Sequence, residues 1–229
     1  METRSIYAVG IDVGGTKIAG GLVKVSASRT DVRPLAHQVI ATHAEQGGRA
    51  VLTDVVRLGG QLAANVPDDE AVTAVGVGLC ELVDRQGNVG SAHCIDWLNL
   101  NVGDELSRIA PSARVLVEAD VRAAARAESV LGAGRDFDVF LYVTIGTGIS
   151  CCLMVNGQPW LGAQGATGTM ASSPLWIPDS GKSGPTLEEL ASGPALITRF
   201  NTAGGAASTG HYVLQAVRAE DPAATEVVR

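Results

Sequence analysis

Residues 9–17, Val-Gly-Ile-Asp-Val-Gly-Gly-Thr-Lys, constrain the fold of this chain more than any other stretch. Apolar residues lead into it and a second apolar run, residues 18–23, follows it. This pattern predicts two strands joined by a tight turn at Gly14 and Gly15. Glycines let a turn fold tightly and bring its amide groups close to an anion. The stretch therefore predicts a phosphate-binding hairpin, with an ordinary glycine turn as the alternative.

Asp12 lies at the end of the first predicted strand. A carboxylate there can hold a magnesium ion or one of its water ligands. The hairpin is not a P-loop, because it lacks the Gly-x-x-x-x-Gly-Lys-Ser/Thr spacing and a strand rather than a helix follows it. Gly76 and Gly78 do not begin a dinucleotide fingerprint either, because Glu81 stands where the third glycine is required. The two commonest nucleotide-binding loops are therefore excluded.

The composition favours an α/β protein. Of 229 residues, 46% are hydrophobic but only 4% are aromatic, and 28 are glycines, which predicts a core of small aliphatic side chains. The net charge is −7 and no basic run is present, so nucleic acid is not an expected partner. The sequence shows no signal region and no apolar run long enough to span a membrane, so we expect a cytoplasmic protein without a membrane partner.

The four cysteines include no Cys-x-x-Cys pair; they are Cys80, Cys94, Cys151 and Cys152. The last two are adjacent in a predicted strand, so their side chains should point to opposite faces. We expect the cysteines to be buried thiols in a reducing compartment.

Strands and helices alternate along the rest of the chain. Apolar residues spaced at Val51, Val55, Leu58 and Leu62 predict one face of a helix after residue 48. Further strands are predicted at residues 35–41, 71–79 and 113–118, and further helices near residues 102–109, 121–131, 186–192, 193–200 and from residue 211 onwards.

Asp120 lies where the strand at residues 113–118 ends and the helix at residues 121–131 begins. Position alone favours a helix N-cap. The carboxyl end of a strand is also where α/β enzymes place a catalytic carboxylate. Both interpretations stay open at this level.

Residues 138–155 repeat the N-terminal arrangement, because a strand, the turn Gly146-Thr147-Gly148 and a second strand follow one another. Asn156-Gly157 is a strong turn signal after them. Two such hairpins can clamp one polyphosphate between two lobes. A turn in an ordinary β-ribbon is the alternative.

Taken together, these motifs resemble the ROK family of repressors, open reading frames and sugar kinases, within the hexokinase and actin-like ATPase superfamily. Residues 10–17 look like its first phosphate motif, residues 117–120 like its catalytic segment, residues 146–149 like its second phosphate motif, and residues 187–194 like the segment after its zinc motif. The resemblance runs from about residue 6 to the end of the chain. It implies an α/β, actin-like ATPase (ribonuclease H-like) fold whose two lobes, residues 1–117 and 118–229, each carry a β-hairpin phosphate loop.

The resemblance implies an ATP-dependent sugar kinase that uses Mg-ATP. Asp120 would accept the proton of a sugar hydroxyl as that oxygen attacks the γ-phosphorus of ATP, and Asp12 would help to place Mg²⁺. Glu188, with Asp120, would contact the sugar. The implied phosphate-binding residues are Gly14, Gly15, Thr16 and Lys17 in the first hairpin and Gly146, Thr147 and Gly148 in the second.

Several residues depart from the family pattern where a sugar should bind. Ala119 stands where the family has Asn, and Thr169 and Ser172 stand where it has Glu and His. Each lost hydrogen bond to a sugar hydroxyl costs about 0.5–1.5 kcal/mol. Glu81 replaces a turn glycine. Residues 176–186 contain no Cys or His, so we expect no zinc in the segment that holds it in the family.

Family members continue beyond the position of Arg229 with an adenosine-binding segment and a helix that returns to the first lobe. We therefore expect an exposed apolar surface, with a homodimer as a candidate assembly. Only five residues precede Ile6, so we do not expect the DNA-binding helices of the family's repressors. The sequence leaves two functions open: a sugar kinase, and a degenerate ROK protein with little or no kinase activity that serves as a ligand-binding or interaction module.

Overall fold

The computed structural model describes residues 6–26, 31–176 and 183–229. These residues fall into two compact units, one running to Phe140 and including Met154–Ala166, the other comprising Leu141–Leu153 and Thr167–Arg229. The predicted lobe boundary between residues 117 and 118 does not coincide with this division, because both residues lie inside a strand paired within the first unit. The assignment of lobes stays a prediction.

A five-stranded sheet forms the centre of the first unit, in the order β3-β2-β1-β4-β5. Its strands are β1 (Ile6–Val13), β2 (Lys17–Val25), β3 (Val32–Ala41), β4 (Val72–Leu79) and β5 (Arg114–Ala119). Strands β1, β2 and β3 are antiparallel neighbours, whereas β4 and β5 run parallel to β1. Val13 is in register with Leu79, and Leu79 with Ala119, so the carboxyl ends of the three parallel strands share one edge.

The first long helix, α1 (Gly48–Ala63), packs its predicted apolar face on this sheet. Val51, Val55, Leu58 and Leu62 are all buried, which confirms the prediction from their spacing. Each such side chain contributes about 1.5–3 kcal/mol through burial. Gly20 in β2 lets the helix come close, because a Cβ there would lie only 2.7 Å from Leu62 Cδ1.

The first unit contains two further α-helices, α2 (Val102–Leu106) and α3 (Asp120–Leu131). Arg122 on α3 is 2% exposed and ties the helix to two loops. Its guanidinium donates to the carbonyl oxygens of Gly165 at 3.0 Å and Val83 at 2.5 Å, and its Nε lies 2.6 Å from Glu118 Oε1. Trp97 is 3% exposed, as expected for a packing residue.

A β-hairpin and four helices account for most of the remaining structure. The strands are β6 (Val139–Ile145), β7 (Ile149–Val155), β8 (Gln158–Pro159), β9 (Pro174–Trp176) and β10 (Ser183–Thr186), and the helices are α4 (Leu187–Ala191), α5 (Gly193–Thr202), α6 (Gly210–Arg218) and α7 (Pro222–Val228). Helices α5, α6 and α7 enclose a core around Phe200, Val213 and Val227. Thr186 and Glu189 form the predicted capping box at the start of α4.

Strand β6 has an exposed apolar face. Leu141, Val143 and Ile145 are 54%, 48% and 62% exposed, and β6 lies at the edge of its sheet, in the order β6-β7-β8. An exposed apolar surface is therefore present, as expected, whereas the homodimer stays a prediction. None of the helices in the described ranges combines the length and hydrophobicity that a bilayer crossing requires.

The cysteines do not all follow the expectation of buried thiols. Cys151 and Cys152 are 6% and 3% exposed in β7, but Cys80 is only partly buried and Cys94 is exposed. The expectation is wrong for Cys94, which lies outside the strands, in the segment between β4 and the next helix. All four side chains are thiols rather than halves of disulfides.

Candidate functional site

Asp12 and Asp120 lie at the shared carboxyl edge of the parallel strands. Asp12 is in register with Gly78 on β4, and Asp120 directly follows β5. A Cβ at residue 78 would lie 3.2 Å from the Asp120 Cα. Because residue 78 is glycine, the first residue of α3 can approach β4 closely, and the two carboxylates are brought to the same edge.

The environment of Asp120 disfavours its ionised form. Burial raises the pKa of the Asp120 carboxyl, the Val121 N–H lowers it, and the charges of Asp12 and Glu81 raise it further, so the net shift is upward. The N-cap of α3 is Ala119, and Asp120 Oδ1 accepts a 2.6 Å hydrogen bond from Val121. The N-cap interpretation of Asp120 is therefore wrong, since the carboxylate contacts only the next residue's amide at the helix start.

The environment of Asp12 also disfavours its ionised form. Asp12 keeps part of its surface exposed, yet burial still raises the pKa of its carboxyl, and Lys17 counteracts this shift. A partly exposed carboxylate at a strand end fits the preference of Mg²⁺ for oxygen ligands and retained water.

The first hairpin turn is held by a residue that its own sequence motif does not include. Gly14 donates its N–H to Lys17 O at 3.0 Å and closes the turn. Thr42, fully buried just after β3, donates its hydroxyl to Gly14 O at 2.6 Å and its N–H to Thr16 O at 3.2 Å. Gly15, Thr16 and Lys17 are exposed, so the outer side of the fixed turn is open to solvent.

Glu81 has the most hydrogen bonds of the acidic residues at this edge, although the sequence marks it only as a departure from the family. Its side chain is 5% exposed. Oε1 accepts from the amides of Cys94 at 2.6 Å and Ile95 at 3.0 Å, and Oε2 accepts from the His93 amide at 2.8 Å and the Ser91 hydroxyl. Burial alone would raise the pKa of Glu81, but these hydrogen bonds together hold it below its usual value.

Replacing Glu81 by alanine is expected to lower the free energy of unfolding by about 2–4 kcal/mol at neutral pH, because charged hydrogen bonds are lost and the Ile95 amide is left buried. A depressed folded pKa contributes stability that is present above the usual glutamate pKa and is lost as the pH falls through the folded value. The difference from the wild type should therefore shrink in acid. Urea unfolding from neutral to acid pH measures both effects. Glu45→Ala is the control, because the Glu45 side chain is 71% exposed. Equal stability of Glu81→Ala and Glu45→Ala at pH 7 would contradict the expectation.

The second hairpin turn lies in the second unit and is held by the start of α5. Gly146 donates to Gly148 O at 2.8 Å, and Gly193 donates to Gly146 O at 2.8 Å. Glu188 Oε2 accepts the Ile149 N–H at 2.9 Å. Thr147 stays exposed at the tip of the turn. These contacts fix the turn and show that Glu188, which the resemblance assigns to the sugar, is bonded to the hairpin. Anion binding by this turn stays a prediction.

The positions that depart from the family have other surroundings. Ala119 is 7% exposed in the first unit. Thr169 and Ser172 lie in the second unit, where the Thr169 carbonyl accepts both the Ser172 amide at 3.2 Å and its hydroxyl at 2.8 Å. Residues 177–182, within the stretch expected to lack zinc, lie outside the described residues. The absence of zinc there stays a prediction.

The model of the ROK family matches residues 8–229. The chain belongs to the ROK family. A solved ROK glucokinase from Streptomyces griseus, in complex with glucose and AMPPNP, superposes with a TM-score of 0.78 at 25% identity, covering 96% of this chain and 74% of that one. The actin-like ATPase α/β fold and the family are therefore confirmed.

Curated relatives of this ROK protein include sugar kinases. The Thermotoga maritima glucokinase is 31% identical over 159 residues, which are 69% of this chain and 47% of the relative. The Amycolatopsis mediterranei kanosamine kinase is 28% identical over 230 residues, which are 97% of this chain and 71% of the relative. The chain spans about half the length of the curated glucokinases that it matches first, at 47% and 52%. It is sugar-kinase-like, while the roles of individual residues stay predictions.

Proposed function

We propose that this ROK protein transfers the γ-phosphate of ATP to a sugar hydroxyl. The observation that carries the proposal is the partly buried carboxyl of Asp120, with its raised pKa, at the same sheet edge as Asp12 and the first hairpin turn. A carboxylate, a cation-binding oxygen and an anion-binding turn are the groups that phosphoryl transfer requires, because such transfer depends mainly on positioning and charge stabilisation.

Asp120 is the proposed general base. Its carboxylate accepts the proton of the attacking hydroxyl, a role that typically accelerates a reaction by about 10²–10⁴-fold. A raised pKa improves the carboxylate as a base, since it brings the pKa nearer to the operating pH. The same side chain orients the sugar by accepting a hydrogen bond from that hydroxyl before the transfer.

The hairpin turns are the proposed phosphate sites, and Mg-ATP, when bound, supplies the phosphoryl group. Asp12 is the residue that would help to place Mg²⁺, and Lys17 adds positive charge beside the exposed turn. The bound AMPPNP in the Streptomyces griseus glucokinase supports nucleotide binding by this fold. Thr147 and its flanking glycines provide the corresponding turn in the second unit.

The sugar is the less defined substrate. Glu188 is proposed as a sugar contact in addition to Asp120, although its carboxylate also accepts the Ile149 amide. The resemblance implies that Ala119, Thr169 and Ser172 have replaced three polar partners of sugar hydroxyls. These changes favour a sugar other than an ordinary hexose, and the kanosamine kinase among the relatives makes amino sugars the first class to test.

A second candidate is a degenerate ROK protein that binds ligands or partners with little or no kinase activity. The lost sugar partners and the local hydrogen bonds of Ser172 and Glu188 favour it, because these side chains already have partners within the second unit. A cytoplasmic location and a homodimer belong to either proposal.

The deciding experiment is ADP release by the purified protein with Mg-ATP across a panel of hexoses, amino sugars and polyols, together with calorimetry of nucleotide binding. We expect sugar-dependent ADP release with at least one member of the panel. Nucleotide binding without release would support the second candidate. If the protein neither binds nucleotide nor releases ADP with any sugar of the panel, the kinase proposal is contradicted.

A further inference from the structure

We propose that Cys80, Cys94 and Glu81 form a binding site for Zn²⁺ or a similarly soft divalent cation in the first unit. The two sulfurs and a carboxylate oxygen of Glu81 all lie within 4.8 Å of one another. The site is separate from the segment that holds zinc elsewhere in the family, and it does not depend on the proposed kinase activity.

The backbone holds both cysteines in place. Cys80 follows β4 and donates its N–H to Val13 O at 3.2 Å, which continues the pairing of β4 with β1. Cys94 donates its N–H to Glu81 Oε1 at 2.6 Å. A hydrogen bond joins the side chains of Cys80 and Cys94. The two thiols therefore face each other on backbone positions that are already fixed, as a preorganised site requires.

Glu81 can act both as a ligand and as the support of the ligand loop. Three of its four hydrogen-bond donors are backbone amides, whereas the fourth is the Ser91 hydroxyl on Oε2. A hydroxyl can rotate without moving the backbone, so Oε2 can turn one lone pair to a cation. Oε1 meanwhile keeps the Cys94 amide and so orients the cysteine, as groups around metal ligands commonly do.

The charge and the donor atoms favour a soft cation. Burial raises the pKa of the Cys80 thiol most, and the nearby charges of Glu81 and Asp120 raise it further; of these two, only Asp120 is not a proposed ligand, and its negative charge also attracts a cation. Thiolates select zinc-class ions, whereas Mg²⁺ prefers oxygen ligands. Two sulfurs and one carboxylate oxygen leave a fourth tetrahedral position for water. Cys94 is exposed and gives the ion a path of entry.

The test is calorimetry of ZnCl₂ binding to the reduced full chain with Mg²⁺ in excess. We expect one zinc ion per chain. Cys80→Ser and Cys94→Ser should each weaken binding by about 100-fold or more, because loss of a group that merely supports a ligand already costs about 10–100-fold. Cys151→Ser, at a buried thiol in the second unit, is the matched control and should bind like the wild type.

Absorption spectra with Co²⁺ make the test independent of the folding of the variants. The wild-type protein should show a thiolate-to-cobalt charge-transfer band that Zn²⁺ abolishes. Absence of this band and of zinc binding in the wild type would overturn the proposal. Equal weakening by Cys151→Ser and Cys94→Ser, or unchanged binding in both cysteine-site variants, would also overturn it.

Discussion

Asp120→Asn is expected to reduce sugar-dependent ATP turnover by about 10²–10⁴-fold, because an amide cannot accept the proton of the attacking hydroxyl. The change preserves the shape of the side chain, and its carbonyl oxygen can still accept the Val121 N–H that Asp120 Oδ1 accepts. The loss should therefore appear in kcat, with nucleotide binding retained. The same variant should unfold at a higher temperature than the wild type.

The increase in stability follows from the direction of the pKa shift. Burial first, and then the charges of Asp12 and Glu81, raise the pKa of Asp120 above its usual value. Stability from such a group is fully present below the usual pKa and is lost as the pH rises through the raised folded value. At neutral pH the ionised carboxylate therefore opposes folding, and Asn removes that charge. Asp12→Asn should act in the same direction, since burial raises its pKa too.

Scanning calorimetry at neutral and acid pH, with turnover measured on the same samples, tests both effects. The gain in melting temperature should be largest at neutral pH and should shrink as the pH falls. Asp136→Asn is the matched control, because Asp136 is exposed and lies outside the strand edge. Turnover that survives in Asp120→Asn would rule out the general base. A lower melting temperature at neutral pH would show that the carboxylate stabilises the fold.

Arg122→Ala is expected to lower the free energy of unfolding by about 3–5 kcal/mol, the range for removing one partner of a buried ion pair. Arg122 is 2% exposed, and the Glu118 side chain beside it is only 13% exposed. The variant removes the 2.6 Å partner of the Glu118 carboxylate, which is too buried for water to replace that partner fully. It also removes the donors to Val83 O and Gly165 O, so two loops lose their attachment to α3.

Urea unfolding monitored by circular dichroism measures this loss. Arg57→Ala is the matched control, because Arg57 forms a 2.8 Å pair with Asp54 on the surface of α1, and such pairs contribute about 0–1 kcal/mol. The double variant with Glu118→Ala should lose less than the sum of the single variants, since it also removes the Glu118 charge that Arg122→Ala leaves without its 2.6 Å partner. A loss in Arg122→Ala no larger than that in Arg57→Ala would contradict the expectation.

Local patterns predict the elements of this fold well. The spacing of Val51, Val55, Leu58 and Leu62 identifies the buried face of α1, because helix periodicity is encoded in neighbouring residues. Glycine turns between apolar runs identify both hairpins for the same reason. Asp120 is different: its position suggests a cap, and only the family resemblance raises it to a candidate base.

Contacts between distant residues explain what the sequence does not predict. Thr42, just after β3, supports the first turn. Glu81 accepts hydrogen bonds from four residues of an irregular segment that lie 10 to 14 positions later in the chain: Ser91, His93, Cys94 and Ile95. No periodic pattern signals either role. Arg122 looks like an ordinary charged residue within a small-residue helix, although its position four residues after Glu118 is a signal for the ion pair. Cys94 is exposed although Ile95 beside it is buried, and no sequence pattern distinguishes the two residues.

Gly78 has a consequence for how this protein can change during evolution or in the laboratory. Even a methyl group at this residue would lie 3.2 Å from the Asp120 Cα, so the close approach of α3 to β4 depends on a missing side chain. We therefore expect side chains larger than a methyl group at residue 78 to displace the start of α3, although the residue carries no reactive group. A directed-evolution library that seeks new substrates should leave residue 78 unmutated and vary the polar positions around it.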